Sequence, residues 1–253
     1  MKVLLELERV NKRFGGLQAV HDLSFAVHDG EILGLIGPNG AGKTTVFNLI
    51  NGVFPADTGR ILLRGKSIGG ETPYRIARHG VARTHQIVQP LANMTVLDNC
   101  TVSACFGHKN LPLSRARLAA REAVAVADIE DCQETLAAHL TVAGKKRLEL
   151  ARALAGNPIL LLLDEVLAGL NPTEVERMIG VIRRIRERGV TILMIEHLMQ
   201  AIMSLSDRIV VLNFGEKLAE GRPAEIANDP RVVEAYLGDP GLAAELERRD
   251  EDG

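Results

Sequence analysis

The stretch GPNGAGKTT, Gly37 to Thr45, decides the fold of this 253-residue chain. It matches the phosphate-loop pattern G-x-x-x-x-G-K-[ST], follows the apolar run EILGLIG and leads into a helix that we expect to begin at Lys43. A glycine-rich backbone lets N–H groups converge on phosphate oxygens at a helix N-terminus, where the helix dipole favours anions. The pattern therefore predicts an α/β fold that binds a nucleoside triphosphate.

The residues of this loop are expected to hold different parts of the triphosphate. Backbone N–H groups of Asn39 through Thr44 would surround the phosphates, Lys43 would reach the β- and γ-phosphates, and the Thr44 hydroxyl would bind Mg²⁺. The predicted nucleotide-binding residues of the loop are Gly37, Pro38, Asn39, Gly40, Ala41, Gly42, Lys43, Thr44 and Thr45.

A second candidate group follows the segment ILLLLDE, which runs from Ile159 to Glu165. The segment is apolar on both faces, as expected of a buried parallel strand, and such strands deliver their last residues to the edge of the sheet where ligands collect. Asp164 is therefore predicted to hold Mg²⁺ through water, and Glu165 to act as a base or to orient the water that attacks the γ-phosphate. Without the phosphate loop, these carboxylates would be interpreted as an exposed strand end.

His197 ends a third apolar segment, VTILMIEH. A histidine at such a position is more often solvated than catalytic. This strand is expected to neighbour ILLLL, however, and that placement favours a hydrogen bond from His197 to the γ-phosphate. Metal ligation is not expected, because no second histidine, cysteine or carboxylate has ligand spacing around it.

Composition excludes several other function classes. The 30 basic and 32 acidic residues nearly balance, so no global field would recruit nucleic acid. No apolar run approaches the ~18 residues that a membrane helix needs, and the N-terminus lacks the features of a secretory signal. The three cysteines have no metal-ligand spacing, which is typical of small buried thiols. We expect a cytoplasmic protein that binds no nucleic acid.

Taken in order, these motifs resemble those of the ATP-binding subunit of an ABC transporter, over nearly the whole chain. The resemblance implies a P-loop NTPase core with an N-terminal antiparallel β subdomain and an inserted helical subdomain. It implies that Phe14 in KRFGG stacks on adenine, although a core phenylalanine is the alternative. It also implies that Gln86 in RTHQ contacts Mg²⁺ and the attacking water, and that Gly169, Leu170 and Asn171 form a loop along a dimer interface.

The resemblance also implies a division of the chain. Residues 1–237 would form one nucleotide-binding domain, with residues 1–90 and 156–237 as the α/β core and residues 91–155 or so as the helical subdomain. Residues 238–253, which are rich in charge, would form a C-terminal tail.

Within the family, the chain is most similar to the ATPases of branched-chain amino acid uptake. The segments FGGLQAV, ARTHQ, NMTVLDN, GLNPTE and SDRIVVLNFGEKLAEGRPAEIANDPRVVEAYLG carry this likeness together. It implies two transmembrane permease subunits as partners, a solute-binding protein acting indirectly, and a peripheral position on the cytoplasmic face of the cell membrane. ATPases of urea, amide or lipopolysaccharide transporters are the alternatives, and the solute itself is chosen by other subunits.

The family signature Leu-Ser-Gly-Gly-Gln has an altered counterpart here. Aligned without gaps, Leu140 is followed by Thr141, Val142, Ala143 and Gly144, although a slip of one residue would place Gly144 at a glycine position. In this family the signature acts on the nucleotide of a second ATPase subunit in a head-to-tail dimer. A heterodimer is therefore expected, in which the site facing residues 141–144 hydrolyses ATP poorly.

Three basic residues follow the signature at the start of a predicted helix, KKRLELARALAG, which we expect to end at Gly156. Cations at a helix N-terminus oppose the helix dipole, so Lys145, Lys146 and Arg147 need another reason for their position. The phosphates of a partner's nucleotide and simple solvation are the two explanations.

Three other function classes fit less well. Soluble ABC-type ATPases of DNA repair or translation need long coiled coils or tandem domains, which this chain lacks. A scaffold that binds ATP without turnover would not need Glu165 and His197. A GTPase would need an NKxD-like guanine-binding motif, and Asn11 to Phe14 lack its aspartate.

Overall fold

The structure of the chain is a computed structural model that describes residues 2–84 and 89–237. Its strands are β1 Val3–Phe14, β2 Leu17–His28, β3 Ile32–Ile36, β4 Thr58–Leu63, β5 Lys66–Ser67, β6 Val81–Arg83, β7 Leu160–Asp164, β8 Thr191–Ile195, β9 Arg208–Asn213 and β10 Glu216–Gly221. Its α-helices are α1 Lys43–Ile50, α2 Pro73–Arg78, α3 Val96–Phe106, α4 Leu113–Val126, α5 Val142–Ala155, α6 Pro172–Glu187, α7 Met199–Leu205, α8 Pro223–Ala227 and α9 Pro230–Leu237.

The chain divides into two compact units. The first is formed by Met1–Gly70 together with Met194–Gly253, and the second by Glu71–Leu193. None of the helices in the two described ranges is long and apolar enough to cross a membrane.

An antiparallel sheet in the order β2-β1-β4-β5 forms much of the first unit. Its apolar residues alternate with polar ones, so that one face is buried. Leu5 of β1 pairs with Val27 of β2 and Leu63 of β4, and all three side chains are buried.

Parallel pairing in the first unit positions the phosphate loop. β3 pairs in parallel with β9, which in turn pairs antiparallel with β10. Every residue of β3 is buried, as expected of a strand covered on both faces. The predicted order of strand, loop and helix is confirmed, because β3 leads through the loop to a helix that begins at Lys43.

The second unit combines parallel strands with a helical cluster. β6 pairs in parallel with β7, and β8 lies on the other side of β7, as predicted. Between β6 and β7 the chain forms α3, α4 and α5, whose buried faces repeat every three or four residues. The cluster is built largely from small residues: Cys100 and Ala104 of α3, Ala116, Ala120 and Ala123 of α4, and Ala151 and Ala155 of α5.

These features confirm the predicted fold class. The α/β core carries a phosphate loop, an antiparallel sheet occupies the N-terminal part of the chain, and a helical segment is inserted between two parallel strands. The predicted C-terminal tail, residues 238–253, lies outside the described residues.

Candidate functional site

The phosphate loop passes between two glycines whose conformations exclude a side chain. At Gly37, where φ is +151°, an added Cβ would lie 2.2 Å from the carbonyl oxygen of Leu212. At Gly42, where φ is +100°, it would lie 2.4 Å from the carbonyl oxygen of Ala19. Both distances are far below van der Waals contact, and both φ values lie where glycine is favoured. The inner side of the loop is therefore packed tightly against backbone.

Lys43 folds back over this loop. Its ammonium Nζ donates to the carbonyl oxygens of Gly37, at 2.6 Å, and Pro38, at 3.0 Å, and the side chain is buried. Asn39 and Thr44 are exposed, by contrast. Asn39 and Thr44 are therefore accessible to a phosphate from solvent, and the Lys43 ammonium lies against the backbone of the same loop.

The turn between β9 and β10 holds the loop from another side. The Gly215 N–H donates to the carbonyl oxygen of Ala41 at 3.1 Å, and the Gly215 carbonyl oxygen accepts from the His21 N–H at 2.9 Å. One residue of the turn thus joins the phosphate loop to β2.

Phe14 lies at the end of β1 with 41% of its surface exposed, so it is not a core residue. Its ring meets that of Phe54 edge to face, with centroids 5.2 Å apart, and the Lys12 ammonium lies 5.4 Å from its centroid. Asp57 holds that ammonium at 2.8 Å and also accepts the Arg13 N–H at 2.7 Å. The hydrogen bond from Lys12, followed by that from Arg13, lowers the pKa of Asp57.

Asp164 ends β7 in a buried, paired state. Its Oδ2 accepts from Nη2 of Arg83 at 2.7 Å, and the two side chains are only 5% and 7% exposed. Thr84 follows Arg83 and accepts the Asp164 N–H at 3.1 Å through its hydroxyl oxygen. Since a buried carboxylate is costly without a partner, the ion pair with Arg83 stabilises Asp164 at this position.

Each unit carries an oxygen donor of the chemical kind that Mg²⁺ takes. No group of three or more histidine, cysteine, aspartate or glutamate side chains in the described ranges could form a metal cage. Mg²⁺ rarely needs one, because it is usually bound by one or two carboxylates together with substrate phosphates and water. The first unit carries one such oxygen donor, the Thr44 hydroxyl, and the second unit carries another, the Asp164 carboxylate.

Glu165 turns the chain sharply after β7. Its φ of +50° lies in the left-handed region, which is unusual for a residue other than glycine, and its side chain is half-buried. The next two residues, Val166 and Leu167, are buried. The turn therefore anchors its apolar residues in the interior while the Glu165 carboxylate stays partly accessible.

His197 lies just beyond the end of β8, in the first unit. Ile195 and Glu196 are buried, whereas His197 is exposed. His197 therefore lies at the surface of that unit. Gln86, the third predicted catalytic residue, lies outside the described residues.

The substituted signature forms the beginning of α5. Thr141 is the N-cap, and its hydroxyl oxygen accepts the Gly144 N–H at 3.1 Å. Val142 is 64% exposed, whereas Ala143 and Gly144 are buried. The helix thus starts three residues before Lys145, where the sequence suggested its start, because Thr141 caps it. It ends at Ala155, next to Gly156, as predicted.

Simple solvation does not explain Lys146, and two of the three basic residues have acceptors within their own chain. Lys146 is buried, and its ammonium donates to the carbonyl oxygens of Glu165 at 3.1 Å and Ala168 at 2.5 Å. Arg147 donates to the carbonyl oxygen of Asp128 at 2.8 Å. Both cations therefore have backbone acceptors within this chain.

Sequence reasoning missed Arg83, the two neighbours of the Phe14 ring, Lys12 and Phe54, and the acceptors of Lys146. Arg83 stands in the ARTHQ segment, and its partner Asp164 lies 81 positions away. No local pattern marks such a pair. For Lys146 the sequence does give a signal, because the helix dipole disfavours a cation near the N-terminus unless an acceptor compensates. Nothing in the sequence identifies that acceptor.

Comparison with known proteins places this chain in a family. The family model for the ABC transporter matches residues 20–168, and a second model, the branched-chain amino acid ATP-binding cassette transporter, matches residues 216–241. The BraF protein of Pseudomonas aeruginosa, a high-affinity branched-chain amino acid transport ATP-binding protein, is 39% identical over 93% of this chain and 98% of its own length. The Escherichia coli protein LivG, of the same description, is 40% identical over 93% of this chain and 98% of its own.

Solved structures agree with the sequence relatives. The crystal structure of the ADP conformation of MJ1267, an ATP-binding cassette of an ABC transporter, is 30% identical to this chain with a TM-score of 0.85. It covers 94% of this chain, and the chain covers all of that structure. A nucleotide-free ATP-binding cassette from an ABC transporter has a TM-score of 0.83 at 29% identity over 92% of this chain and 98% of its own. The chain therefore belongs to the ABC transporter family, as an ATP-binding cassette with ATPase activity.

Proposed function

We propose that this chain hydrolyses ATP to energise the uptake of branched-chain amino acids or similar small polar solutes. The observation that carries the proposal is the relation to BraF and LivG, which extends over 93% of the chain. The match of residues 216–241 to the branched-chain amino acid model supports it from a second part of the sequence.

The first unit would bind the nucleotide. Lys43 leaves its carbonyl acceptors in the loop and places its ammonium on the β- and γ-phosphates, while the loop N–H groups surround them. Phe14 offers its exposed ring to adenine. His197 donates a hydrogen bond to the γ-phosphate.

The second unit would supply the groups for hydrolysis. Bound Mg²⁺ would neutralise charge on the β- and γ-phosphates. Asp164 would hold it through water, and Gln86, in the segment between α2 and α3, would contact it. The Thr44 hydroxyl, which belongs to the first unit, is proposed as a further ligand. Glu165 would accept a proton from the attacking water or orient it.

A complete site would need a second ATPase subunit, in a head-to-tail dimer. Thr141, Val142, Ala143 and Gly144 would then face the partner's nucleotide, with the Thr141 hydroxyl directed at its γ-phosphate. We infer a heterodimer, because this signature is altered while the residues of the chain's own phosphate loop are intact. Two permease subunits, and a solute-binding protein acting through them, would complete a transporter in which this chain lies on the cytoplasmic face of the membrane.

We also propose that residues 1–237 work as one nucleotide-binding domain. Residues 1–90 and 156–237 would form its core, residues 91–155 its helical part, and residues 238–253 a tail. The packing of α3, α4 and α5 around one apolar cluster supports the helical part of this division.

Solute uptake by the reconstituted transporter tests the proposal. The chain would be assembled with its permeases and second ATPase in proteoliposomes that contain ATP, with the solute-binding protein and labelled leucine outside. We expect leucine uptake that Lys43→Ala reduces strongly and that an exposed control, Lys66→Ala, leaves unchanged. ATP-dependent movement of urea, an amide or lipopolysaccharide without any amino acid uptake would contradict the proposal.

A further inference from the structure

Lys146 connects two segments that the sequence separates. It lies on α5, five residues after the Thr141 cap, and its ammonium bonds to the carbonyl oxygens of Glu165 and Ala168. These acceptors bracket the turn that follows β7. One side chain therefore joins the helix of the signature to the residue that we assign to water activation.

The environment of Lys146 makes this bond more than an incidental surface contact. Its residue is only 8% exposed, and burying a charged group costs several kcal/mol unless it is well paired. The dipole of α5 also gives no help to a cation near the N-terminus. The two carbonyl oxygens, at 3.1 Å and 2.5 Å, compensate for these costs through charge-assisted hydrogen bonds.

The turn that carries the two acceptors of Lys146 has an unusual backbone conformation. Glu165 has a left-handed backbone, with φ +50°, and this conformation is disfavoured for residues with a Cβ. Its carbonyl oxygen also accepts the Ala168 N–H at 3.3 Å, within the same turn. Lys146 thus binds the two ends of a strained turn, and the direction of the Glu165 side chain depends on that turn.

We propose that Lys146 is a positioning residue that fixes Glu165 relative to the signature helix and so couples the two ATP sites of the dimer. This inference rests on the proposed function, in which Glu165 acts on the nucleotide bound by its own chain and residues 141–144 act on the partner's. A displacement of α5 at one site would then reach Glu165 at the other through the hydrogen bonds of Lys146.

Three variants distinguish the positioning role of Lys146 from a general need for positive charge at the start of α5. Lys146→Met keeps most of the length and an apolar stem but removes the donors. Lys146→Arg restores a cation with donors. Lys145→Met removes the neighbouring charge, which is half-buried on the same helix.

The assembled complex is then assayed for kcat and KM of ATP hydrolysis, for ATP affinity and for thermal stability. Because misplacement of a catalytic group by about 1 Å can cost roughly 100-fold in rate, we expect Lys146→Met to lower kcat by about that factor. ATP affinity should stay within about two-fold, since the phosphate loop is untouched. Lys146→Arg should recover much of kcat, and Lys145→Met should resemble the wild type.

A wild-type kcat in Lys146→Met would overturn the inference. An equal loss of kcat in Lys145→Met would overturn it too, because it would indicate that both lysines contact a partner's phosphates. If Lys146→Met does not fold, Lys146→Gln retains a donor without the charge. A folded Lys146→Gln complex with wild-type kcat and KM would then overturn it, and a selective loss of kcat would support it. Absence of hydrolysis in the wild-type complex would count against the proposed function instead.

Discussion

Arg83 and Asp164 form a buried ion pair, with Nη2 2.7 Å from Oδ2, across the parallel strands β6 and β7. Removing one partner of such a pair leaves an uncompensated buried charge, which typically costs about 3–5 kcal/mol. We therefore expect Arg83→Met to lower the free energy of unfolding by about 3 kcal/mol. Urea denaturation followed by circular dichroism would measure the change.

The double variant Arg83→Met/Asp164→Asn is the control for this pair. It removes both charges, so it should be more stable than the sum of the two single variants implies. If the two single variants and the double variant show additive losses of unfolding free energy, the ion pair does not stabilise the fold.

The role of Glu165 can be tested by a substitution that keeps its shape. Since loss of a general base typically costs about 10²–10⁴-fold in rate, Glu165→Gln should slow ATP hydrolysis by at least 100-fold while ATP still binds. ATP-bound dimers should then accumulate, which size-exclusion chromatography would detect. Glu176→Gln, at an exposed position of α6, is the matched control. Unchanged hydrolysis in Glu165→Gln would remove Glu165 from the mechanism.

Phe14 should contribute to binding of the base and not of the phosphates. Base–aromatic stacking is worth about 1–3 kcal/mol, so Phe14→Ala should weaken ATP binding by about ten-fold or more. Affinity for inorganic tripolyphosphate should not change, since it has no base. Isothermal titration would measure both ligands, and Phe106→Ala, at another exposed phenylalanine, is the control. Equal weakening of both ligands would indicate distortion of the phosphate loop.

Restoring the family signature should speed turnover of the assembled complex. Replacing residues 141–144 by Ser-Gly-Gly-Gln removes the exposed Val142 and the methyl group of Ala143. In the alignment without gaps, both would stand where close approach to phosphate favours glycine. A side chain at Gly144 would bring its Cβ within 3.3 Å of Leu140, so a variant that keeps Gly144 should be measured beside the full replacement. An unchanged ATPase rate in both would show that the altered signature does not limit hydrolysis.

The three cysteines should differ in reactivity. Burial raises the pKa of the Cys100 thiol to about 12, so almost no thiolate forms at neutral pH. Cys105 and Cys132 are half-buried. A colorimetric disulfide reagent should therefore label the latter two in the native protein and reach Cys100 only after denaturation. Rapid native labelling of Cys100, located by mass spectrometry, would show that the helical cluster opens readily.

Local patterns made much of the fold predictable. The phosphate loop, the buried strands on either side of the helical insertion, and the end of α5 at Gly156 all follow from spacing and composition. The beginning of α5 lies three residues before the predicted start at Lys145, because the Thr141 cap stabilises a helix that includes Gly144. Capping depends on one side-chain hydrogen bond, which the apolar pattern does not reveal.

The supporting residues of the candidate site were not predictable for a different reason. Phe54 meets Phe14, and Lys146 meets Glu165, across 40 and 19 positions of the chain. Such contacts depend on the direction in which each segment leaves its turn. Sequence spacing therefore predicts which groups could act in ATP hydrolysis, but not which groups hold them in place.

The bonds of Gly215 have a consequence for the affinity of the nucleotide site. Because this residue binds Ala41 on one side and His21 on the other, the phosphate loop is held in shape before any ligand arrives. Ordering a flexible loop would subtract from the binding energy, and here that entropy is already lost on folding. The matched branched-chain amino acid segment, residues 216–241, begins at the very next residue. The segment that matches the branched-chain amino acid model therefore starts beside the residue that holds the phosphate loop in place.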